Sequence, residues 1–126
     1  MTTNCKILVV DDDPEQLSFM KQFLERKGYQ TLGASNGKES IDILSRTYVD
    51  LVVSDIRMPE MDGIGFVNYI KGLRYIPRDA VLPVILVTGE SIELEHEARE
   101  AGADDFCSKE DIPDELEEKI CRLCGE

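Results

Sequence analysis

The chain has 126 residues, of which 26 are acidic and 14 are basic, so its formal charge is 14 − 26 = −12. This length fits one domain, and 42% hydrophobic residues are enough for a packed core. Nucleic acids and anionic lipid surfaces attract proteins through Lys and Arg, so this charge argues against both as direct partners. The apolar runs are far shorter than the ~20 residues that cross a bilayer. With no visible signal peptide, we expect a cytoplasmic protein.

Short β-rich runs alternate with amphipathic helical patterns along the chain. The predicted strands, in chain order, are residues 6–10, 29–34, 51–54, 84–87 and 105–107. Each is followed by apolar residues three and four positions apart, in patterns that start at Leu17, Ile41, Phe66, Leu94 and Leu116. Asp13-Pro14 resembles an N-cap followed by a first-turn proline. Gly28 and Gly102 stand where glycines commonly end helices.

Strict alternation of strands and helices predicts right-handed βαβ units and a parallel sheet with helices on both faces. The expected fold class is α/β, a doubly wound (βα)5 domain in three layers. Its five-stranded parallel sheet should have the flavodoxin-like order 2-1-3-4-5. We expect a single domain over residues 1–126, with its core at about 6–124.

The four cysteines, Cys5, Cys107, Cys121 and Cys124, lack the context of a secreted disulfide framework. Cys121 and Cys124 have the spacing of half a metal site, but no second pair of Cys or His accompanies them. We therefore expect four reduced thiols with packing or surface roles.

Polar side chains stand at the carboxyl ends of several predicted strands. Asp11 and Asp12 end the first strand, Asp55 the third and Thr88 the fourth, and Lys109 follows the fifth. Doubly wound folds bind ligands at this edge. Carboxylates about 5 Å apart at an effective dielectric constant of ~20 repel by about 3 kcal/mol per pair, so stability alone does not explain the cluster. A hard divalent cation relieves the repulsion, and few carboxylates with several waters suit Mg²⁺.

Four strings carry a resemblance to a known family: ILVVDD at 7–12, DIRMPEMDG at 55–63, VILVTG at 84–89 and AGADDFCSK at 101–109. Together they resemble the CheY-like receiver domain of two-component response regulators, over essentially the whole chain. The string DxxMPxMDG is the most specific of the four. Its order relative to the acid pair, the threonine and the lysine makes coincidence improbable.

The resemblance implies that Asp55 is the phosphoacceptor, which takes a phosphoryl group from the phosphohistidine of a sensor histidine kinase or phosphotransfer protein. It also implies that Asp12, Asp55 and the backbone carbonyl of Arg57 hold Mg²⁺, while Asp11 orients water on the metal. Lys109 is expected to face the transferring oxygens.

The resemblance also implies a switch made of Thr88 and Phe106. Thr88 is expected to hydrogen-bond the phosphoryl group, and Phe106 to rotate inward as Thr88 moves, which changes the surface offered to an output domain or protein partner. The residues alone also fit an ordinary core phenylalanine at position 106. The family usually has proline after the lysine, whereas Glu110 follows Lys109 here, so the backbone course at this point stays open.

Three other classes of protein share some of these sequence features. A receiver-like module that binds partners without phosphorylation fits the same motifs. A haloacid-dehalogenase-like phosphatase also uses strand-end acids and Mg²⁺, and Asp104-Asp105 could serve as its late acid pair. It expects Thr or Val where Glu15 stands, and its lysine precedes the acid pair. A flavin-binding domain is disfavoured because the aspartates after the first strand repel phosphate. We expect a signalling domain with at most self-phosphorylation and autodephosphorylation activity.

Overall fold

Five parallel strands form one sheet in the computed structural model of the protein. They are β1 (Lys6–Val10), β2 (Gln30–Ala34), β3 (Leu51–Asp55), β4 (Val84–Thr88) and β5 (Asp105–Ser108). Their order is β2-β1-β3-β4-β5, which confirms the predicted topology. The structure describes residues 5–56, 65, 82–89, 96, 99–100 and 102–124.

Three α-helices have defined bounds: α1 (Pro14–Arg26), α2 (Gly37–Arg46) and α3 (Glu117–Cys124). A 3-10 turn, Lys109–Asp111, and a wider π-helical turn, Ile112–Leu116, connect β5 to α3. His96, Arg99 and Glu100 are helical, but most of the predicted third and fourth helices lies outside the described residues. Within the described part of the chain, no helix is long and apolar enough to cross a membrane.

The helix-end signals in the sequence are confirmed. Asp13 caps α1, because its Oδ1 accepts a hydrogen bond from the backbone N–H of Glu15 at 3.0 Å. Gly28 and Gly102 have φ angles of 98° and 111°, in the left-handed region that side chains with a Cβ rarely adopt. The helices therefore end at these glycines because the backbone there enters a left-handed conformation that glycine adopts readily.

The core lies on both faces of the sheet. β3 and β4 are buried at every position. Because alternate strand residues point to opposite faces, burial at every position means that both faces of the sheet are covered. One face packs against Leu44 of α2. The other face packs against Leu24 of α1 and Ile120 of α3. Both faces are covered, and the carboxyl edge of the sheet is left for the polar residues.

The cysteine prediction is wrong for two of the four residues. Cys5, just before β1, is joined to Cys124, the last residue of α3, by a disulfide bond across 119 positions of sequence. Both cysteines belong to the apolar cluster on the α1 and α3 face of the sheet. Cys107 and Cys121 are free thiols. The pairing arises because α3 packs back across the sheet toward β1, a contact that no local sequence pattern encodes.

Candidate functional site

Three carboxylates meet at the carboxyl edge of the sheet. Asp11 follows β1 and Asp55 ends β3, and these strands are direct neighbours with Val10 opposite Ser54. One oxygen atom from each of Asp11, Asp12 and Asp55 lies within 4.8 Å of the others. The first and third of these side chains are buried, whereas Asp12 is exposed. The fold therefore assembles the cluster that strand-end placement predicts.

Asp11 is fully buried and only partly satisfied. Its Oδ1 accepts a hydrogen bond from the backbone N–H of Asp13 at 2.9 Å. Its Oδ2 is buried with no hydrogen-bond partner in the described structure. Burial raises the pKa of Asp11, and the Asp13 hydrogen bond and the Lys109 ammonium offset that rise only in part. A buried carboxylate oxygen that accepts no hydrogen bond, beside two more carboxylates, fits a hard cation such as Mg²⁺, whose ligands are oxygens.

Lys109 places a positive charge between two of the acids. Its Nζ lies 3.6 Å from Oδ2 of Asp11 and 3.6 Å from Oδ2 of Asp55, and the side chain is 29% exposed. The ammonium group therefore lies close to both buried carboxylates at the carboxyl edge of the sheet. A cation there stabilises negative charge that develops on oxygen.

Glu110 has a structural role that proline lacks. Its backbone N–H donates a hydrogen bond to Oγ of Ser108 at 3.3 Å, which caps the 3-10 turn that begins at Lys109. Proline has no N–H to donate. The chain thus turns directly from β5 into a helical connection, and this answers the question that the missing proline raised.

Thr88 and Phe106 lie on neighbouring strands. Thr88 is the buried last residue of β4 and pairs with Ser108, while Phe106 pairs with Leu86 two positions earlier on each strand. Residues two apart on a strand share a face, so Thr88 and Phe106 stand on the same side of the sheet. Phe106 is 7% exposed and belongs to the core cluster on that side. Arg57, the remaining predicted ligand, lies outside the described residues.

Sequence reasoning missed a second charged cluster at the opposite edge. Asp105 begins β5 and is buried, with Nη2 of Arg99 and Nζ of Lys119 each 3.3 Å from its Oδ1. A third cation, the guanidinium of Arg122, contacts its Oδ2. The sequence offered two signals: an acid at the start of a buried strand, and two cations three positions apart on α3. Neither signal shows that these side chains contact each other.

The position of this acid pair bears on the phosphatase alternative. Asp104 accepts a hydrogen bond from the backbone N–H of Val84, the first residue of β4, at 2.8 Å. Asp104 and Asp105 therefore lie at the amino ends of β4 and β5, and the cluster of Asp11 and Asp55 lies at the carboxyl ends. The late acid pair does not join the site, so the geometry does not support that enzyme class.

The fold and the site define a doubly wound α/β domain with an acidic, lysine-bearing pocket at the carboxyl edge of its sheet. A family model described as the response regulator receiver domain matches residues 7–121. The chain therefore belongs to the response regulator receiver domain family, and it is a receiver domain of two-component signalling.

Similar proteins agree with this membership. A probable cyclic di-GMP phosphodiesterase of Vibrio cholerae is 41% identical over 108 residues, which make up 85% of this chain but only 24% of that protein. The receiver domain of a histidine kinase from Syntrophus aciditrophicus is 38% identical, with a TM-score of 0.82 over 96% of this chain and 90% of that one. The response regulator TrrA of Thermotoga maritima, solved in complex with Mg(2+)-BeF, is 34% identical, with a TM-score of 0.81 over 94% and 98% of the two chains.

Proposed function

We propose that this receiver domain accepts a phosphoryl group on Asp55 from the phosphohistidine of a sensor histidine kinase or phosphotransfer protein. The observation that carries the proposal is the Lys109 ammonium, which lies 3.6 Å from a carboxylate oxygen of Asp55 and equally far from one of Asp11. A lone buried acid needs one counter-ion. This arrangement gathers more negative charge than one lysine balances, which suits a site that binds a cation and then a phosphoryl group.

The chemical step is a transfer between two protein side chains. A carboxylate oxygen of Asp55 attacks phosphorus, the O–P bond forms, and the P–N bond to the histidine breaks. The imidazole leaves with the electron pair of that bond and takes up a proton. Lys109 offsets the charge on the phosphoryl oxygens, and the Thr88 hydroxyl at the end of β4 donates a hydrogen bond to one of them.

Asp12, Asp55 and the backbone carbonyl of Arg57 are the groups that would hold Mg²⁺, with Asp11 beside them to orient water. When bound, Mg²⁺ supplies positive charge that offsets the carboxylates and the phosphoryl oxygens. The donor set supports this assignment because all the side-chain ligands are carboxylates, and Oδ2 of Asp11 is buried without a hydrogen-bond partner in the described structure.

Phosphorylation then acts on partners through Thr88 and Phe106. As Thr88 moves toward the phosphoryl group, space opens on its face of the sheet, and the Phe106 ring adjusts within the core it shares with β4. The altered surface binds an output domain or a downstream protein. We expect this to occur in the cytoplasm, with no enzymatic activity in the domain beyond gaining and losing its own phosphoryl group.

A direct test uses the protein with Mg²⁺ and acetyl phosphate, followed by intact-mass spectrometry. We expect an adduct of one phosphoryl group that is stable in acid, labile in base and absent from Asp55→Asn. The matched control is Asp104→Asn, which keeps an oxygen to accept from Val84 and lies at the other edge of the sheet. No adduct on the wild-type protein would favour a phosphorylation-independent binding module, and turnover of phosphomonoesters would favour a phosphatase.

A further inference from the structure

The bonded cysteines lie away from the phosphoacceptor, at the amino end of β1. Cys5 is 3% exposed, and its backbone carbonyl accepts a hydrogen bond from the N–H of Gln30 at 3.3 Å as β2 begins. Cys124 is partly exposed at the end of α3. Their Cα atoms are 6.5 Å apart, inside the range of about 4.4–6.8 Å that disulfides occupy. The start of β1 and the end of α3 thus place the two cysteines at bonding distance.

The surroundings of the pair are already a closed apolar core. Met20 of α1, Leu116 and Ile120 of α3 and its preceding turn, and Ile7 of β1 are fully buried in the same cluster. A reduced cysteine packs in such surroundings as a small apolar side chain. The fold therefore accommodates both the thiol and the disulfide forms, which is the requirement for a bond that opens and closes.

The other two cysteines serve as internal references. Cys107 is buried, and burial raises the pKa of its thiol to about 11, so very little of it is thiolate at neutral pH. Cys121 is one helical turn before Cys124, partly exposed, with its Sγ 3.3 Å from the Tyr29 hydroxyl. Cys107 controls for a buried inert thiol, and Cys121 controls for an accessible thiol on the same helix.

We propose that Cys5 and Cys124 form a reversible redox site that exchanges with low-molecular-weight thiols and disulfides of the glutathione class. The Cys124 thiolate attacks glutathione disulfide, a protein–glutathione mixed disulfide forms, and one glutathione leaves. The Cys5 thiolate then attacks the Cys124 sulfur and releases the second glutathione. The two cysteines are oxidised, glutathione disulfide is reduced, and the two protons pass to the departing thiolates. The inference rests on the proposed cytoplasmic location, where disulfides that form are commonly redox-responsive.

The bond changes the attachment of α3 to the sheet. In the oxidised form the last turn of α3 is tied covalently to the start of β1. In the reduced form that end of the helix has its packing and its polar contacts through Cys121 and Arg122, but no covalent tie. The same helix carries Lys119 and Arg122, which contact Asp105, and Asp105 accepts a hydrogen bond from the backbone N–H of Phe106. Oxidation therefore fixes the helix that braces the strand of the proposed switch.

The test equilibrates the full chain in glutathione buffers of graded ratio, blocks free thiols by alkylation, and maps the cysteines by mass spectrometry. We expect a cross-linked peptide that joins Cys5 and Cys124. As the buffer becomes about a hundredfold more reducing, the cross-linked fraction of the protein should fall from most of it to little of it. Cys107→Ala and Cys121→Ser should leave the curve unchanged. Absence of the cross-link at every ratio would overturn the proposal, as would pairing of Cys124 with Cys121 or a bond that no excess of glutathione opens.

A second measurement does not depend on which variants fold. The oxidised wild-type protein should unfold at a temperature about 10–20 °C above that of the reduced protein, because the bond closes a loop of most of the chain in the unfolded state. Amide hydrogen exchange in α3 should slow about tenfold or more on oxidation, with β2 much less affected. Equal protection of α3 in both forms would refute the proposed anchoring. Phosphorylation by acetyl phosphate is measured separately, so failure of the redox site and failure of the phosphoacceptor assignment are distinguishable.

Discussion

Replacing Lys109 by methionine removes the charge between two buried acids and keeps most of the apolar side chain. Its Nζ is 3.6 Å from an oxygen of Asp11 and of Asp55. At an effective dielectric constant of ~20, each contact contributes about 4–5 kcal/mol of attraction. The cost of removing a partly buried ammonium from water cancels most of that gain. We expect metal-free Lys109→Met to lose about 2–3 kcal/mol of unfolding free energy at neutral pH.

The chain supplies a matched control in Lys119. Its side chain is 21% exposed and lies 3.3 Å from Asp105, so its burial and ion-pair geometry resemble those of Lys109. Asp105 keeps Arg99 and Arg122 when this lysine is replaced, so we expect Lys119→Met to lose less than about 1 kcal/mol. Both losses are measurable by urea unfolding followed by circular dichroism, since the chain has no tryptophan.

The Lys109 effect should depend on pH and on Mg²⁺. Burial raises the pKa of Asp11, and Lys109 lowers it in part, so the pKa rises further in Lys109→Met. Between that raised value and the ordinary value of 3.8, the folded state binds a proton that the unfolded state does not. The unfolding free energy of Lys109→Met therefore increases as pH falls through the raised pKa of Asp11. The difference in unfolding free energy between this variant and the wild-type protein becomes smaller. Saturating Mg²⁺ should also reduce this difference in unfolding free energy. Equal losses in the two lysine variants, or a gap indifferent to both pH and Mg²⁺, would refute this reasoning.

Three further outcomes follow from the site and its surroundings. Asp11→Asn removes a buried charge, so it should raise the metal-free unfolding free energy by about 1–2 kcal/mol and reduce the stabilisation that added Mg²⁺ brings, as urea unfolding with and without the metal would show. Asp105→Asn should lower the unfolding free energy by about 2–4 kcal/mol but leave the rate of phosphorylation by acetyl phosphate unchanged. A slower rate would contradict the separation of the two edges of the sheet. Asp13→Ala should cost about 1 kcal/mol through loss of the α1 cap, whereas Asp13→Ser, which keeps a capping oxygen, should cost much less.

The strands, their order and the helix ends were predictable because each depends on local or topological rules. Runs of apolar residues predict strands buried on both faces, and βαβ handedness restricts their order. Asp13 and Gly28 act within one helical turn of their own position, so sequence alone identifies them. The gathering of Asp11 and Asp55 was predictable too, since the carboxyl ends of neighbouring parallel strands must meet.

Side-chain contacts that depend on how α3 docks against the sheet were not predictable. The rotation of α3 about its axis decides that Lys119 and Arg122 face Asp105, and the helical pattern predicts only which face is apolar. The same docking brings Cys124 to Cys5 across 119 positions. The turn after Lys109 depends on one hydrogen bond between Glu110 and Ser108, which the sequence permits but does not require.

The strand order also bears on how the protein is made. Asp11 directly follows β1 and Lys109 directly follows β5, so the acid and its counter-ion are 109 − 11 = 98 positions apart in sequence. At about 5–20 residues per second, a ribosome needs about 5–20 s to cover that interval. Once Asp55 has been added, the nascent chain has all three acids but still lacks the lysine. The acids therefore remain without this counter-ion until the segment after β5 has been synthesised.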